Sequence, residues 1–505
     1  MPAQSAGIYK NEITKGGRII SGAPFGFGAF VGGAEWGPLE EAQLVFSWPD
    51  FQRKFGSYIS NSYLAYAVKG HFENQGGACY VSRACHYDDI TDPSTRTAQK
   101  ASVTLQDRNS TPADTLKVEA YYFGDKGNEI SVDIEDNSDD SSLFDLIVYV
   151  DGEERERYEG LDMDDTADNF VEIAINDSSK WIQVTDLDSG TSSPDDNPAT
   201  GSFDLSGGDN GLSAITDSDY IGDSNSSTGL YAFDPVDALI NVAVPGQTNI
   251  WTDILSYCSS NGYAFAILDP KMGEDPSTFK ETASTAGLNS TYGAIYYPAI
   301  GINEDPITGK SKVLPPSGHI AGLYARVANK YGIFETPAGV EEQKAKLKGV
   351  DFLEYTGTKN SAVRTVLEAE RVNTIVPWDD YGITVYGGYT LDKTGQFPYI
   401  NERLTFLYCE LSIYKGTQWA VWYNNNKRLW RQLRNTISMF LSNFWRDGGL
   451  KGEKESQAFD VKIDSELNTP EEQLAGNLNG EIGLATHQPA IFIYFDYYRK
   501  VQSGA

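Results

Sequence analysis

The most informative chemistry in this chain is a group of basic side chains at helical spacing. Three of them lie at i, i+4 and i+7 and a fourth is adjacent, so a helix would display them together; this basic ridge consists of Lys427, Arg428, Arg431 and Arg434. Between Lys427 and Arg446 there are five basic residues and no acidic one, although the net charge of the chain is -31. The ridge predicts an acidic partner, and an ordinary solvated helix face is the alternative.

The basic ridge needs a rigid element, and the sequence predicts a helix of about twenty residues to carry it. Apolar residues recur there at spacings of three and four: Trp430, Leu433, Ile437, Phe440, Leu441, Phe444 and Trp445. The Asn424-Asn425-Asn426 turn precedes this helix and Gly448-Gly449 ends it. Just before the turn, the aromatic-rich run from Trp419 to Tyr423 predicts a strand.

Two segments have the glycine content of phosphate-binding loops, but each fits another structure better. A dinucleotide loop needs a strand before it and a helix that begins inside it, whereas alternation within Gly26 to Gly32 predicts that this segment is itself the strand. Thr308 to Ser311 resembles the end of a Walker A loop, but position 304 is Glu304 and Pro306 intervenes, which favours a surface hairpin.

The sequence signals for a metal site or a catalytic site are equally weak. Asp162, Asp164, Asp165 and Asp168 lack the glycine and glutamate of an EF-hand, so a solvated acidic loop is the better interpretation, with adventitious divalent binding as the alternative. Cys79, Cys85 and His86 have no second ligand pair for zinc, and buried thiols are predicted instead. No acid–base pair stands out, so we expect no enzyme, no cofactor and no metal.

The composition places most of the acidity in one segment. Between positions 91 and 225 there are 32 Asp and Glu against 8 Lys and Arg, which leaves this acidic insertion at -24. Such a surface argues against nucleic-acid binding and favours a solvent-facing domain. From the lack of a long apolar run and from the residues at positions 1–10 we expect no membrane span and no secretory signal. The four scattered cysteines are consistent with reduced thiols and cytoplasmic assembly.

Outside the acidic insertion, strands and helices alternate, which predicts a mixed α/β core interrupted by a β-rich insertion. Predicted strands cover residues 27–31, 78–83, 116–122, 129–136, 238–244, 263–268 and 292–299, and Asp151-Gly152 marks a hairpin. Predicted helices cover residues 48–55, 63–72, 248–259, 319–329 and 401–414. At 505 residues the chain suggests two or three domains.

Several long motifs, in the same order along the chain, resemble the contractile tail sheath proteins of myophages and related injection machines. The similar segments are AGIYKNEI, AFVGGAEWGPLEEAQLVFSWPDFQRKFG, SYLAYAVKGHFENQGGACYVSRA, VLPPSGHIAGLYARVANKYGIFETPAG, RVNTIVPW, GITVYGGYTL, GTQWAVWYNNNKRLW and NTPEEQLAGNLNGEIGLATHQPAIFIYF. Ala6 stands where proline is usual in the family opening.

This resemblance implies a mechanical subunit that forms six-membered rings and stacks helically around an inner tail tube. Contraction of the sleeve would drive the tube through a cell envelope, with baseplate and tail terminator proteins as further partners and no direct contact with nucleic acid. The helix with the basic ridge would face an acidic tube. The protein would be part of a virion tail or an injection particle. A static capsid or surface-layer subunit, and an α/β enzyme with an acidic insertion, are the alternatives.

The resemblance also implies that both chain ends link neighbouring subunits by adding strands to their sheets. The expected arm residues are Ile8, Tyr9 and Ile13 at the N-terminus and Ile491, Phe492, Ile493, Tyr494 and Phe495 at the C-terminus. A buried strand of the chain's own core is the alternative for the C-terminal run. The predicted division is an arm at 1–22, a core of 23–90 and 229–488, an outer insertion at 91–228, and an arm at 489–505.

Overall fold

A computed structural model describes residues 19–491, 493 and 494 of the chain. The chain divides into two compact units, one covering Pro24–Arg403 and the other formed by residues 404–505 with the N-terminal residues 1–23. Within the described residues, no helix has the length and apolar character needed to cross a membrane.

The first unit is an α/β structure with an inserted β domain. Its strands are β1 (Phe27–Gly32), β2 (Trp36–Gly37), β3 (Ala42–Val45), β4 (Cys79–Arg83), β5 (Ser102–Gln106), β6 (Asp114–Ala120), β7 (Phe123–Gly124), β8 (Ile130–Asp136), β9 (Phe144–Val150), β10 (Glu153–Leu161), β11 (Ile182–Asp186), β12 (Gly201–Asp204), β13 (Ile240–Ala243), β14 (Ala264–Leu268), β15 (Gly293–Tyr297), β16 (Ile300–Ile302), β17 (Lys312–Leu314), β18 (Phe352–Leu353), β19 (Val372–Trp378) and β20 (Gly382–Val385). Its helices are α1 (Trp48–Phe55), α2 (Leu64–Glu73), α3 (Val171–Asn176), α4 (Asp217–Ile221), α5 (Trp251–Asn261), α6 (Pro276–Thr285), α7 (Ser317–Tyr331) and α8 (Ser361–Glu368).

An eight-stranded sheet forms the centre of this unit, in the order β20-β19-β15-β14-β13-β1-β4-β3. The six inner strands are parallel, and the edge strands β3 and β20 are antiparallel. Strands β13, β14 and β15 are buried at every position because helices cover both faces of the sheet, which explains their continuous apolar runs. The strand order reverses between β1 and β13, the position at which such sheets usually bind ligands.

Alternate residues of β1 contribute to the two faces of this sheet. Ala29 and Val31 join a core cluster that includes apolar residues of α5, α6 and α8. Phe30 lies on the opposite face, where its ring centroid is 5.5 Å from that of His71 in α2. The side chains of β1 therefore alternate between two faces of the sheet, and both faces are covered.

Helices α2 and α7 pack closely and enclose a buried histidine pair. A Cβ at Gly318 would lie 2.3 Å from Ala67 Cα, and one at Gly322 would lie 2.3 Å from His71 O, so the helices approach through glycine. His71 in α2 and His319 in α7 are fully buried, and burial lowers the pKa of each imidazole from 6.5 to about 4. Both rings are therefore neutral in the folded protein at neutral pH.

A buried carboxylate follows β14 and organises the start of α7. Asp269 accepts hydrogen bonds from Ser317 N at 2.8 Å, Ser317 Oγ at 2.7 Å and Gly246 N at 3.1 Å. Burial raises the pKa of Asp269 to about 6, against the lowering effect of these hydrogen bonds. The carboxylate thus satisfies backbone donors where the loops after β13 and β14 meet the helix.

The acidic insertion forms two antiparallel sheets with a hydrophobic core between them. The sheet orders are β10-β9-β8-β12 and β11-β6-β5. Burial alternates along β8, where Ile130, Val132 and Ile134 point inward. The predicted hairpin joins β9 and β10, and both Asp151 and Gly152 have positive φ, as a type I′ turn requires.

The second unit is a helical structure with one small sheet. It contains most of α9 (Ile400–Thr417), followed by α10 (Lys427–Arg446), α11 (Glu455–Ala458), β21 (Phe459–Lys462), α12 (Pro470–Leu474) and β22 (Glu481–Leu484). Ala23 N donates to Ser412 Oγ at 2.8 Å, and a Cβ at Gly416 would lie 2.4 Å from Ile20, so residues 19–23 pack on α9.

The predicted mixed α/β fold is confirmed, and so are most predicted elements, whose ends agree within three residues. One predicted element is wrong. The run from Trp419 to Tyr423 is not a strand, because α9 continues to Thr417 and a single 3₁₀ turn at Gln418–Ala420 follows it. The predicted domain bounds stay a prediction beside the observed division after Ala23 and Arg403.

Candidate functional site

The helix that carries the basic ridge is α10, and its ends are well defined. The Asn426 side chain caps the first turn by accepting from Arg428 N at 3.0 Å and Leu429 N at 3.1 Å. One face of the helix is buried along the predicted stripe, which includes Leu433, Ile437, Phe440 and Phe444. The helix ends where Gly449 N donates to Phe444 O at 2.9 Å.

The structure brings the four residues of the basic ridge together on the solvent-facing side of α10. Lys427, Arg428, Arg431 and Arg434 are all exposed. Within the described residues none of them pairs with a carboxylate, and Arg431 Nε donates only to Lys427 O, at 3.3 Å. The ridge is therefore a local concentration of unneutralised positive charge on a strongly acidic chain.

The segment that replaces the predicted strand is a fixed turn that exposes an aromatic side chain. Asn425 Oδ1 accepts from Trp430 Nε1 at 2.7 Å, and Asn425 Nδ2 donates to Asn477 O at 2.7 Å, so one amide holds the turn from both sides. Trp422 has φ of 67° and is 100% exposed. Without a neighbouring strand in the described residues, local β propensity is insufficient to make this run extended.

Beside this turn, an apolar groove of about 530 Å³ runs between α10 and the β21–β22 hairpin. Leu429, Leu433 and Ile437 form its wall on α10, and Ile463 and Ile482 lie among the residues of the opposite wall. These groove residues lie away from the basic ridge on the helical wheel of α10. The second unit thus offers two distinct surfaces, one cationic and one apolar.

The hairpin beside the groove is a two-stranded sheet, with Phe459 opposite Leu484 and Lys462 opposite Glu481. From Glu481 to Gly483, β22 is exposed. Within the described residues neither strand has a second partner, so both outer edges retain free backbone hydrogen-bonding groups.

The predicted arm residues are only partly described. Ile8, Tyr9, Ile13, Phe492 and Phe495 lie outside the described residues. At the C-terminus Ile491, Ile493 and Tyr494 are 39%, 69% and 85% exposed and are not assigned to a strand.

The segments weighed as phosphate loops form the predicted alternatives. Residues 27–32 are β1, and the glycines that follow β1 and β13 each lie against a side chain. A Cβ at Gly33 would lie 2.6 Å from Leu212, and one at Gly246 would lie 2.7 Å from Tyr63. Residues 308–311 lie in the turn of the β16–β17 hairpin.

The predicted solvated acidic loop from Asp162 to Asp168 and the predicted buried thiols are confirmed. The carboxylate of Asp164 accepts from Thr166 N at 2.9 Å within an exposed loop. All four cysteines are free and buried, and burial raises the pKa of the Cys258 thiol. Within the described residues no group of three or more His, Cys, Asp or Glu could hold a metal ion.

Comparison with known proteins gives the acidic insertion a family. The model of the phage tail sheath protein beta-sandwich domain matches residues 94–210, which cover both antiparallel sheets. Over 99% of this chain and 100% of the other, the fold is also similar to the anti-feeding prophage helical sheath in its contracted state, with a TM-score of 0.58 and 18% identity. The segment at 94–210 is thus a phage tail sheath beta-sandwich domain, and the fold of the whole chain is similar to that of a contractile sheath protein.

Two curated sheath relatives match shorter stretches of the chain. The tail sheath protein of Salmonella phage ViI is 23% identical over 40% of this chain and 32% of its own length. The putative prophage major tail sheath protein of Pseudomonas aeruginosa strain UCBPP-PA14 is 24% identical over 45% of this chain and 55% of its own. These matches therefore span about half or less of each relative.

Two features of the second unit could not be predicted from the sequence. The first is the exposed Trp422, which was placed in a strand. The second is the groove, whose walls lie more than twenty residues apart in the chain and meet only after folding. The exposed side of α10 could be predicted because its charges follow the helical period.

Proposed function

We propose that this chain is a non-enzymatic structural subunit of a contractile tail sheath, which polymerises helically around an inner tail tube. Contraction of the sleeve would drive the tube through a target cell envelope. The observation that carries this proposal is that one chain combines the sheath β-sandwich domain with the sheath fold over nearly its full length.

The basic ridge is proposed to face the inner tube, whose exterior would be acidic. Its four cations are exposed, lack carboxylate partners in the described residues and sit on a helix anchored by a buried stripe. Each exposed ion pair is worth only about 0.2 to 1 kcal/mol. Contacts of this strength hold an extended sleeve by repetition, and each can release as the sleeve widens.

The arms are proposed to link neighbouring subunits by strand addition, and the β21–β22 hairpin is the acceptor that the structure favours. Its free edges supply backbone donors and acceptors, and the apolar groove beside it would receive apolar side chains of the incoming arm. The exposed Ile491, Ile493 and Tyr494 supply such side chains. An arm of ten residues spans roughly 33 Å, so neighbours would stay linked while their cores move.

The energy for contraction would come from the difference between two packings of folded subunits, a rigid-body transition without nucleotide hydrolysis. Six-membered rings would stack into the sleeve, a baseplate would trigger it, and a terminator protein would end it. The subunit would assemble in the host cytoplasm and function in a virion tail or an injection particle.

Negative-stain microscopy of the purified full chain tests the proposal. A sheath subunit should polymerise into hollow helical sleeves, and it should form longer, narrower sleeves when purified tubes are present. Closed shells or flat lattices would favour a static capsid or surface-layer protein. A protein that stays monomeric under all conditions, with or without tubes, would contradict the proposed function and reopen the possibility of an enzyme.

A further inference from the structure

The acidic insertion and the α/β core share a hydrophobic core, although they are separate in sequence. Trp36 belongs to β2, in the segment that follows the first core strand, yet it is 1% exposed among the apolar residues of the insertion. Its ring stacks on Trp181 at 5.3 Å, with an interplanar angle of 18°, and meets the edge of Tyr122 at 5.4 Å. The core thus inserts an aromatic side chain into the β-sandwich.

A buried arginine spans the same junction. Arg83, the last residue of β4, is 2% exposed. Its Nη1 donates to Gly37 O at 2.8 Å and to Phe123 O at 2.6 Å, and its Nη2 donates to Asn210 O at 3.0 Å. Gly37 lies on the core side, whereas Phe123 and Asn210 lie in the insertion, so one planar guanidinium fixes three backbone points across the boundary.

The backbones at this junction are also in direct contact. Strands β2 and β7 pair antiparallel, with Trp36 opposite Gly124. Gly124 has φ of 131°, and a Cβ there would lie 2.3 Å from Glu35 O. Asp125 N donates to Glu35 O at 3.0 Å. These contacts leave no space for a hinge movement at this point that preserves the hydrogen bonds.

We propose that Arg83 and Trp36 form an interdomain lock that makes the acidic insertion and the α/β core one rigid body. If the insertion rotated, the buried guanidinium would lose its three carbonyl acceptors and no water could replace them. The free-energy cost of these unpaired donors opposes even small rotations of the insertion. The lock ties the insertion to β4, an inner strand of the central sheet, and movement of the insertion therefore carries the sheet with it. This inference goes beyond the proposed function and does not depend on it.

Distance measurements between spin labels on the full chain test the lock. Ser141→Cys in the insertion and Thr285→Cys at the end of α6 are exposed positions, and the four native cysteines are buried and therefore protected from labelling. The wild-type background should give one narrow distance distribution. Arg83→Met should broaden it at least twofold, because methionine keeps the packing volume but leaves the three carbonyls without a donor.

A matched control is Arg108→Met. Arg108 is an arginine of the same insertion that bonds only within it, to Asp136 at 2.7 Å and Pro198 O at 3.0 Å. This control should leave the distribution narrow. If Arg83→Met does not fold, Arg83→Lys replaces it, because the ammonium keeps the charge but cannot present the fixed fork to three carbonyls. Lysine should also broaden the distribution.

An unchanged width for a folded Arg83 variant, equal to that of Arg108→Met, would overturn the lock. Broadening confined to the Arg83 variant would support it. Because the labels report on the monomer, a failure to form sleeves would reject the proposed function while leaving this result intact.

Discussion

Reversing two charges of the basic ridge should separate tube binding from folding. The perturbation is the double variant Arg431→Glu and Arg434→Glu, at two exposed positions without carboxylate partners in the described residues. Surface substitutions of this kind change the free energy of unfolding by no more than about 0.5 kcal/mol. The thermal unfolding midpoint should therefore stay close to that of the wild type.

The effect on assembly should be much larger than the effect on folding. Two lost ion pairs remove about 0.4 to 2 kcal/mol per subunit, and like-charge repulsion of similar size raises the total to roughly 1 to 4 kcal/mol. In the proposed ring of six subunits this penalty is repeated six times, so extended sheath should no longer form on tubes. Sleeves that form without tubes should persist, because sheath–sheath contacts would use other surfaces.

Co-sedimentation of the variant with purified tubes, followed by negative-stain microscopy, measures this effect. The control is Lys310→Glu with Lys348→Glu, which changes the net charge equally at exposed positions in the first unit. High salt should weaken wild-type binding in the same assay. Extended sheath formed by the Arg431/Arg434 variant at the wild-type level would refute the role of the ridge.

Four further predictions concern the chain ends, the acidic insertion, the buried histidine pair and Asp269. Deleting residues 1–15 or 490–505 should leave a folded monomer that forms no sleeves, and loss of monomer folding on circular dichroism would mean that the deleted residues belong to the chain's own core. Replacing the acidic insertion by a Gly/Ser linker would uncover the Trp36 ring, so the variant also carries Trp36→Ser. This variant should still form sleeves on microscopy. Loss of sleeves from the folded variant would contradict an outer, dispensable position for the insertion. Burial holds the pKa of both His71 and His319 below the unfolded value. The free energy of unfolding should therefore be highest above pH 6.5 and should fall by about 3 kcal/mol per ring as the pH falls towards 4. Asp269 has a raised pKa, so the free energy of unfolding of the wild type relative to Asp269→Asn should fall as the pH rises from about 4 to 6. Denaturation curves that give the same difference between the two proteins across that range would refute this prediction.

The acidic insertion could be located from the sequence, but its boundary on the core side could not. Charge and turn signals located a β-rich acidic segment, and the family domain at 94–210 falls inside it. Its boundary on the core side was not visible, because Trp36 lies about sixty residues before the domain and joins it only through tertiary packing. The linker variant consequently requires a second substitution that the sequence did not indicate.

Local patterns were sufficient wherever the physical cause was also local. The helical period of α10, the Asn424-Asn425-Asn426 turn before it and its glycine end predicted an amphipathic helix with an exposed basic ridge, and the structure agrees. The Asp151-Gly152 turn predicted its hairpin because both residues tolerate positive φ. The run from Trp419 to Tyr423 failed for the opposite reason, since a strand exists only when a partner strand is beside it.

The sequence by itself therefore determined the fold class, the acidic insertion, the basic ridge and the resemblance to sheath proteins, because period, charge and motif order are properties of the chain. Only the tertiary structure decided the order of the central sheet, the groove beside α10 and the contacts of Arg83 across the junction. It also decided that burial lowers the pKa of two histidines and raises that of Asp269. These features depend on residues far apart in the chain, and their energies exist only once those residues are desolvated together.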